Sequence, residues 1–451
     1  MERPAESAAP GLQEGDEEAL LAGGDRPSSA GVLVESAAPS ERTSSSASAV
    51  FNLGNTIVGA GIMSLPHAMA VLGLAFGTSL LMLIYWLAYY TLKKLIKFSE
   101  KLGATSYPQL VQGQLGLWGN VYLQLSIILN NAGIMTVYLI ILGDITVGSA
   151  PLYGGLLSSW FGLDAGSTWY LTRPFVVAVV TMAVLLPVSL LRRLDMLGGV
   201  SAVSLGLAAL FASISILLGA YAAAKRGLDG IDWWPDWSRP TSVLATLPIL
   251  TTSYVCHFNL HPLMKDLKDY TTKRMLTVVE VALGICTATY ALAGIGCYLL
   301  FQGQPSDDVL KDFTQALLAP LLGITLASIV DGLVRLAYLL VLMGTFPMLC
   351  FGLREVFIEQ CFRGPIGKAA WSGLTLGIIS IVYLVSVLVP SVWTALSITG
   401  ATAALSLAYI IPAMLILKVD DSRRDRVLAV IIVVLGAVTA VVAVADTLMH
   451  H

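Results

Sequence analysis

Two segments of the sequence place polar or helix-weakening residues inside long apolar runs. The first carries Gly59, Ala60 and Gly61 near the middle of such a run, and the second, further along the chain, carries Ser253 and His257 among several other polar side chains. Where a membrane helix unwinds, one half directs N–H groups and a positive dipole end at the gap, and the other half offers carbonyl oxygens. The N–H groups can bind a carboxylate, and the carbonyl oxygens can bind an ammonium group or a cation.

Both segments also have a purely structural explanation. Each glycine costs about 1 kcal/mol of helix propensity relative to alanine, but small residues such as Gly59 and Gly61 also permit two helices to cross closely. In the second segment, Ser and Thr hydroxyls can bond back to carbonyl oxygens, and Pro262 can kink the helix end. The two explanations of the glycines stay open, although paired discontinuous helices in an inverted repeat would mark a binding site.

A third apolar run contains adjacent amides, Asn130 and Asn131, followed by Gly133 and Tyr138. A lone amide in a membrane helix usually bonds to a neighbouring helix. Gly133 and Tyr138 could instead shape the wall of a pocket. We predict that Asn131 contacts the ligand, together with Ser253 and His257 of the second segment.

Charged residues do not occur in the central parts of these three runs. Ionisable groups at bilayer depth are expensive and functional, so a ligand with a net charge would meet no complementary side chain there. A zwitterion, bound by helix-end dipoles, fits better. Glu280 is the only acidic residue that we place well inside a run, where it is either a proton-relay group or a cytosol-facing residue near the start of the run.

Enzyme chemistry is not indicated. The two imidazoles of the second segment have no paired acid, metal-ligand spacing or nucleophile motif beside them. The five cysteines form no CxxC pair or Cys/His cluster, so they are read as packing residues. We predict neither a metal site nor an organic cofactor.

The composition requires a lipid environment for these runs. Hydrophobic residues make up 56% of the 451 residues and charged residues only 12%, compared with about 25% charged residues in soluble domains. Apolar runs of about 20 residues must be helices in hydrocarbon, where every backbone N–H and C=O has to be paired within the span. The chain is therefore predicted to be an all-α polytopic membrane protein.

Eleven spans are predicted, with ten or twelve as the alternatives. They lie near 49–73, 75–95, 118–143, 174–191, 198–224, 243–263, 276–302, 326–353, 369–391, 393–417 and 427–448. Lys and Arg are concentrated in the loops after even-numbered spans, as at Lys93, Lys94 and Lys97. By the positive-inside rule the N-terminus is cytosolic. The basic residues on that face suit anionic lipid headgroups rather than nucleic acid.

Residues 1–47 are predicted to form a disordered cytosolic tail, and residues 48–451 the transmembrane domain. The tail is rich in Ser, Ala, Gly, Pro and Glu and has no aromatic residue, so it cannot bury enough apolar surface to order itself. It lacks the pattern of a cleaved signal peptide. Asp16, Leu20 and Leu21 fit an acidic dileucine sorting signal of internal membranes, with an inert tail sequence as the alternative.

Five segments resemble the amino acid/auxin permease family, in particular the sodium-coupled neutral amino acid transporters and the plant vacuolar amino acid transporters. They are FNLGNTIVGAGIMSLPHAM from Phe51, NNAGIMTVYLIILGD from Asn130, LPVSLLRRLDMLGGVS from Leu186, PILTTSYVCHFNLHPLMKDLKD from Pro248 and VRLAYLLVLMGTFP from Val334. The resemblance covers most of the chain after the tail. It implies a leucine-transporter-like inverted repeat of five plus five helices, followed by an eleventh.

The resemblance also implies roles for individual residues. Substrate contacts fall on the backbone at Gly59, Ala60 and Gly61, with Ser253 as a further candidate. Sodium-coupled members of the family use an Asn in the first span and a Thr in the eighth. The Asn matches Asn55, whereas the Thr position falls on Met343, with Thr345 two residues later and about 200° around the helix.

A thioether is a poor ligand for a hard cation, so we expect coupling to protons, or to no ion, in preference to sodium. The predicted function is secondary transport of small neutral amino acids across a vacuolar, lysosomal or plasma membrane. The alternative is an amino acid sensor that signals through a cytosolic partner. The sequence makes no prediction about oligomeric state.

Overall fold

The computed structural model describes residues 44–149, 154–163, 168–191, 198–362, 366–389 and 391–449. Across these ranges the regular structure is helical, apart from one isolated bridge between Ser44 and Leu267. The first helix begins at Ser46, two residues before the predicted start of the transmembrane domain. Asp16, Leu20 and Leu21 lie outside the described residues, so the disorder of the tail and its sorting signal stay predictions.

The α-helices follow the predicted spans closely. They are α1 (Ser46–Ile57), α2 (Gly61–Leu72), α3 (Leu74–Leu102), α4 (Tyr107–Thr146), α5 (Leu156–Phe161), α6 (Arg173–Ser189), α7 (Gly198–Arg226), α8 (Pro240–Thr252), α9 (Leu260–Asp266), α10 (Thr272–Leu300), α11 (Gln315–Leu322), α12 (Ile324–Cys361), α13 (Lys368–Leu388), α14 (Val392–Val419) and α15 (Arg423–Met449).

Helical segments occupy all eleven predicted positions. In the part of the chain that the structure describes, nine segments are long and apolar enough to cross a membrane, with α8 and α9 together forming one of them. The bent pair α1–α2 makes a tenth, and α6 is a shorter apolar helix. The eighth span was the least secure prediction because apolar sequence precedes it. Gly323, whose φ of 81° ends α11, separates that sequence from α12.

The first and sixth spans are discontinuous, as their sequences suggested. Helix α1 ends at Ile57, α2 begins at Gly61, and the two axes differ by 56°. Helix α8 ends at Thr252, and a 3₁₀ turn at His257–Asn259 leads into α9. The glycine segment is therefore a helix break. It is also a place of close approach, since a Cβ atom on Gly61 would overlap Ser253.

The broken spans lie at the centre of the bundle. In the most apolar window of the span formed by α8 and α9, 78% of the residues are buried, compared with 22% for α13 and 28% for α15. Helix α10 packs along α7 and against α1, α2 and α3, whereas α12 packs along α4 and α7. Peripheral helices can expose apolar side chains because lipid surrounds them, so the unwound backbone is confined to the protein interior.

Candidate functional site

A small cavity lies where the two broken spans face each other. Its volume is about 90 Å³, which is room for several water molecules at the threshold of about 15 Å³ for each. It is bounded by the two breaks, by α4 and by α12. The residues that line it are Asn55, Thr56, Ile57, Gly59, Ala60, Gly61, Asn130, Asn131, Ile134, Tyr138, Thr252, Ser253, Val255, Phe258, Asn259, Thr345, Met348, Leu349 and Gly352.

The N-terminus of α2 opens onto this cavity. Helix α2 begins at Gly61, and the preceding Ala60 provides no side-chain cap. Met63 N–H bonds to Ala60 O at 3.2 Å, whereas the N–H groups of Gly61 and Ile62 have no acceptor among the described residues. The dipole gives this end a partial positive charge. A Cβ atom at Gly61 would overlap the Ser253 side chain, so glycine is required for the close approach of the two breaks. The arrangement can bind a carboxylate through backbone groups.

Tyrosine hydroxyls from neighbouring helices hold the carbonyl oxygens at the breaks. Tyr290 of α10 lies within donating distance of both Ile57 O, at 2.6 Å, and Ser253 O, at 2.8 Å. Tyr338 of α12 donates to Gly59 O at 2.8 Å. Helices α10 and α12 therefore fix both unwound segments, and Tyr290 links the two breaks through one hydroxyl group.

Side-chain amides supply further polar groups. Asn131 lies on the cavity wall, where Asn130 Nδ2 donates to its Oδ1 at 3.4 Å. Asn55 Nδ2 lies 3.5 Å from Ser201 Oγ and 3.7 Å from Met348 Sδ. Among the described residues, Asn55 Oδ1 has no hydrogen-bond partner. This buried oxygen is available to a cation or to a donor on a ligand.

The structure places the hydroxyl of the eighth span on the cavity wall. The resemblance put the family position on Met343 and Thr345 on another helix face. In the structure Thr345 lines the cavity, whereas Met343 is not among the lining residues. Thr345 Oγ1 donates to Val341 O at 2.9 Å and is also hydrogen-bonded to the Tyr138 side chain. One lone pair remains for another donor or a cation. The argument against sodium that relied on the Met343 thioether therefore loses its structural basis.

His257 is placed differently from its prediction as a substrate contact. Its side chain is fully buried and lies against α3, where Nε2 is 2.8 Å from Thr91 Oγ1. It is not among the residues that line the cavity. Because the chain turns through a 3₁₀ segment here, His257 points away from the cavity while the nearby Phe258 and Asn259 line it. The imidazole attaches the sixth span to α3.

Gly133 is also explained by packing. A Cβ atom on it would overlap Thr399 of α14. This glycine permits a close helix crossing and is absent from the cavity wall, whereas Tyr138 does form part of that wall.

The cavity continues into a wider vestibule on one side. Its volume is about 640 Å³, and it shares with the cavity the residues Thr56, Asn131, Phe258, Asn259, Met348 and Gly352. Lys265, Glu355 and Glu359 line its outer part. We call this the vestibule side of the protein, and it is the side on which α1 begins and α12 ends.

The opposite side, which we call the closed side, is sealed by aromatic groups. A Cβ atom on Gly59 would lie 2.8 Å from the Tyr138 hydroxyl, so this ring covers the first break. Beyond it, the ring of Phe211 contacts those of Phe313 and Tyr338, with centroids 5.6 Å and 6.5 Å apart. The structure thus shows a cavity that connects to the vestibule and is shut on the other side.

Buried ion pairs lie further out on the closed side, and sequence reasoning missed them. Asp144 pairs with Arg173 at 3.0 Å, and Asp331 pairs with Arg335 at 2.5 Å. Asp144 and Arg173 flank predicted spans, and Asp331 and Arg335 lie in the first part of another. Their charges were visible in the sequence, but their pairing was not. Glu280, by contrast, is exposed on α10.

The loop before α11 contributes more charged groups to the closed side. Burial alone would raise the pKa of Asp307, but the neighbouring Lys311, 2.8 Å away, lowers it below its ordinary value. Burial, followed by the negative charge of Asp144, raises the pKa of Asp308 well above 3.8. The pKa values of these two adjacent carboxyl groups are therefore displaced in opposite directions.

Comparison with known protein families gives a match along almost the whole chain. Residues 42–449 match the family described as "Transmembrane amino acid transporter protein". The "Amino acid transporter AVT6E" of Arabidopsis thaliana is 33% identical over 406 residues, which cover 87% of this chain and 81% of that protein. The "Putative sodium-coupled neutral amino acid transporter 11" of Rattus norvegicus is 27% identical, covering 88% and 84%.

Solved structures share the fold at low sequence identity. MhsT in complex with L-phenylalanine superposes with a TM-score of 0.58 at 16% identity, covering 90% of this chain and all of that one. A Na⁺-coupled sialic acid symporter in its substrate-bound outward-open state gives a TM-score of 0.54 at 14% identity, covering 89% of each chain. The likeness confirms the leucine-transporter-like fold expected from the sequence.

Proposed function

Because the chain belongs to the transmembrane amino acid transporter family, whose members are transporters rather than enzymes, we propose that it carries small neutral amino acids across a membrane. The observation that carries the proposal is the cavity between the two broken spans. It offers the free N–H groups at the start of α2, where Gly61 lies, for a carboxylate. It offers carbonyl and amide oxygens for an ammonium group. A zwitterion needs both kinds of group at a short separation.

The lining of the cavity supports a neutral side chain on the substrate. None of the described residues that form it is Asp, Glu, Lys, Arg or His. A charged substrate side chain would stay unpaired at bilayer depth, which is costly. The small volume and the closeness of Tyr138, Phe258 and Leu349 favour short substrates over large ones.

We further propose that a driving cation binds at Asn55 and Thr345, beside the first break. Asn55 offers a buried oxygen without a partner, and Thr345 offers a hydroxyl oxygen on the same cavity wall. Hard cations prefer such oxygen ligands. The predicted preference for protons, or for no ion, over sodium stays a prediction that separate ion gradients test.

The cytosol is assigned to the vestibule side. Lys265, Lys268, Lys273 and Arg274 follow the sixth span on that side, in line with the positive-inside rule. Under this assignment the protein is open toward the cytosol, and its closed side faces the lumen or the exterior. The acidic dileucine at Leu20 and Leu21 favours a vacuolar or lysosomal membrane.

Uptake by the purified protein in liposomes tests the function. A panel of amino acids is offered with a sodium gradient, a proton gradient or neither, and we expect saturable uptake of small neutral amino acids but not of charged ones. Specific binding without any uptake under all three conditions would contradict transport and support the sensor. Uptake of lysine or glutamate in preference to alanine would contradict the neutral substrate class.

A further inference from the structure

Charged groups around the loop before α11, on the closed side, form three ion pairs. Asp144 of α4 pairs with Arg173 of α6, and Asp307 pairs with Lys311 within the loop before α11. Asp331 pairs with Arg335 within α12. Arg335 also donates to the carbonyl oxygens of Asp144, Leu310 and Phe313 at 3.0 to 3.2 Å. The arginine therefore ties the loop to α4.

Two carboxyl groups of this loop take part in no ion pair among the described residues. Asp312 has both oxygens bonded to Ser306, by the backbone N–H and the hydroxyl, each at 2.6 Å. Asp308 has only one bond, from the N–H of Leu310 to Oδ1 at 3.0 Å, and its Oδ2 has no partner. Asp308 is also fully buried. Of the two, Asp308 is the group that cannot stay ionised without a large desolvation cost.

The surroundings of Asp308 do not compensate a negative charge. Asp144 faces it from α4, and Oδ2 of Asp144 is also without a partner among the described residues. Asp307 adds further negative charge, while Lys311 adds a positive charge that is already paired with Asp307. The remaining basic groups are engaged elsewhere: Arg173 with Asp144, Arg335 with Asp331, and His67 of α2 with the carbonyl oxygen of Pro305, at 2.9 Å.

We propose that Asp308 is a proton-binding site of the closed side, occupied when that side is shut and vacated when it opens. A proton on Oδ2 removes the buried charge and turns an oxygen without a partner into a donor. Opening would admit water to both groups, and Asp308 would then ionise. The site differs from the cavity and needs no bound amino acid.

The direction of the pH dependence follows from linkage. Burial, and then the charge of Asp144, raises the pKa of Asp308 in the closed state, whereas hydration returns it toward 3.8 in the open state. Between these two values the closed state binds more protons than the open one. Lowering the pH through this window therefore favours closure, and raising it favours opening, by at most about tenfold per pH unit for one proton.

Thiol accessibility measures the opening directly. Ala327 is fully buried one turn before Asp331, on the closed side of α12. A cysteine is introduced there by Ala327→Cys in a Cys361→Ser background, which removes the exposed native thiol. The protein is purified into lipid nanodiscs, and labelling by a hydrophilic maleimide is followed between pH 5 and pH 8. Variants are compared at the same pH, so that ionisation of the thiol itself cancels.

Asp308→Asn keeps a similar shape and a donor, but it cannot ionise. The parent is the Ala327→Cys, Cys361→Ser protein with Asp308 intact. We expect the maleimide to label the Asp308→Asn variant slowly at every pH, so the labelling rate of the parent divided by that of the variant should rise with pH. Asp307→Asn is the matched control: it leaves Lys311 unpaired beside Asp308 and should keep the rise while moving it to lower pH. An equal pH dependence in the parent and in Asp308→Asn would overturn the proposal.

Infrared spectroscopy gives a readout that does not rely on gate motion. A protonated, buried carboxylic acid has a carbonyl stretching band that a carboxylate lacks. We expect wild-type protein to keep such a band at pH values above the ordinary range of an aspartic acid, and Asp308→Asn to lack it. Asp307→Asn should also show the band but lose it at a lower pH than the wild type. Absence of the band in wild-type protein, or its persistence in Asp308→Asn, would overturn the proposal even if transport itself is confirmed.

Discussion

Gly61 and Ser253 meet at backbone distance. A Cβ atom on Gly61 would lie 2.9 Å from Ser253 Cβ and 3.1 Å from its Cα. The unwound parts of the first and sixth spans therefore touch through a glycine, and the ligand-binding groups of both converge on one small cavity. A side chain at position 61 would separate the two breaks and fill the space that a substrate carboxylate needs.

The first prediction concerns this contact. Gly61→Leu should lower liposome uptake more than about tenfold, corresponding to a loss of about 1.4 kcal/mol or more in transition-state stabilisation. Gly284→Leu is the matched control, because a Cβ atom at Gly284 of α10 meets no neighbour within 4 Å. Both variants should reach the membrane in similar amounts. Normal uptake by Gly61→Leu would remove the cavity from the transport pathway.

The second prediction concerns Tyr290, whose hydroxyl links Ile57 O and Ser253 O. Tyr290→Phe leaves the buried carbonyl oxygens without this donor, at a cost of about 1 to 3 kcal/mol. We expect a lower thermal unfolding temperature in detergent and reduced uptake. Tyr383→Phe, which removes an exposed hydroxyl bonded to Pro174 O, should change neither. A Tyr290→Phe protein with unaltered stability and uptake would show that the link is dispensable.

The third prediction separates positioning from substrate contact at His257. The Thr91 hydroxyl donates to a carbonyl of its own helix, so His257 Nε2–H donates to Thr91. His257→Gln can keep a donor, whereas His257→Ala cannot. We expect His257→Ala and Thr91→Val to lose stability and uptake by similar, non-additive amounts, and His257→Gln to be milder. Additive losses in the double variant would refute the pairing.

The apolar runs predicted the helices well, because the thickness of the bilayer sets the length of a membrane-spanning helix. The first break was also predictable, since glycines weaken a helix wherever they lie. The direction of the side chains beyond a break could not be predicted, because helical periodicity stops there. This is why Phe258 and Asn259 line the cavity while His257 does not.

The closed side was harder to foresee. Asp308 lies in a loop by sequence, and its burial depends on α4 and α12, which carry Asp144 and Arg335 far along the chain. No local sequence pattern predicts a contact between residues so far apart in the chain. Linear correspondence with a family position pointed to Met343, but the observed face of α12 puts the hydroxyl of Thr345 on the cavity.

The fourth prediction tests the ion site. If Asn55 and Thr345 hold the driving cation, Asn55→Ala and Thr345→Val should weaken the stimulation of uptake by whichever gradient, sodium or proton, drives the wild-type protein. Met343→Thr should leave it unchanged, since Met343 is not among the cavity residues. A gain of sodium dependence in Met343→Thr would restore the sequence-based assignment of the hydroxyl position.

The fifth prediction concerns the tail. Joint replacement of Leu20 and Leu21 by alanine should move the protein from an internal membrane to the cell surface if the acidic dileucine is a sorting signal. Surface biotinylation measures the shift. Replacement of Leu33 by alanine, in the same tail, provides the control. An unchanged distribution of the dileucine variant would identify these leucines as inert.

A phenol has a single hydrogen, yet the Tyr290 hydroxyl faces two carbonyl oxygens. The hydroxyl can donate to only one of the two acceptors at a time, so it can exchange between two arrangements. An ammonium group in the cavity would supply a second donor, and both carbonyl oxygens could then be hydrogen-bonded at once. Such a hydrogen bond contributes about 1 to 3 kcal/mol, so binding of an ammonium group should carry a favourable enthalpy.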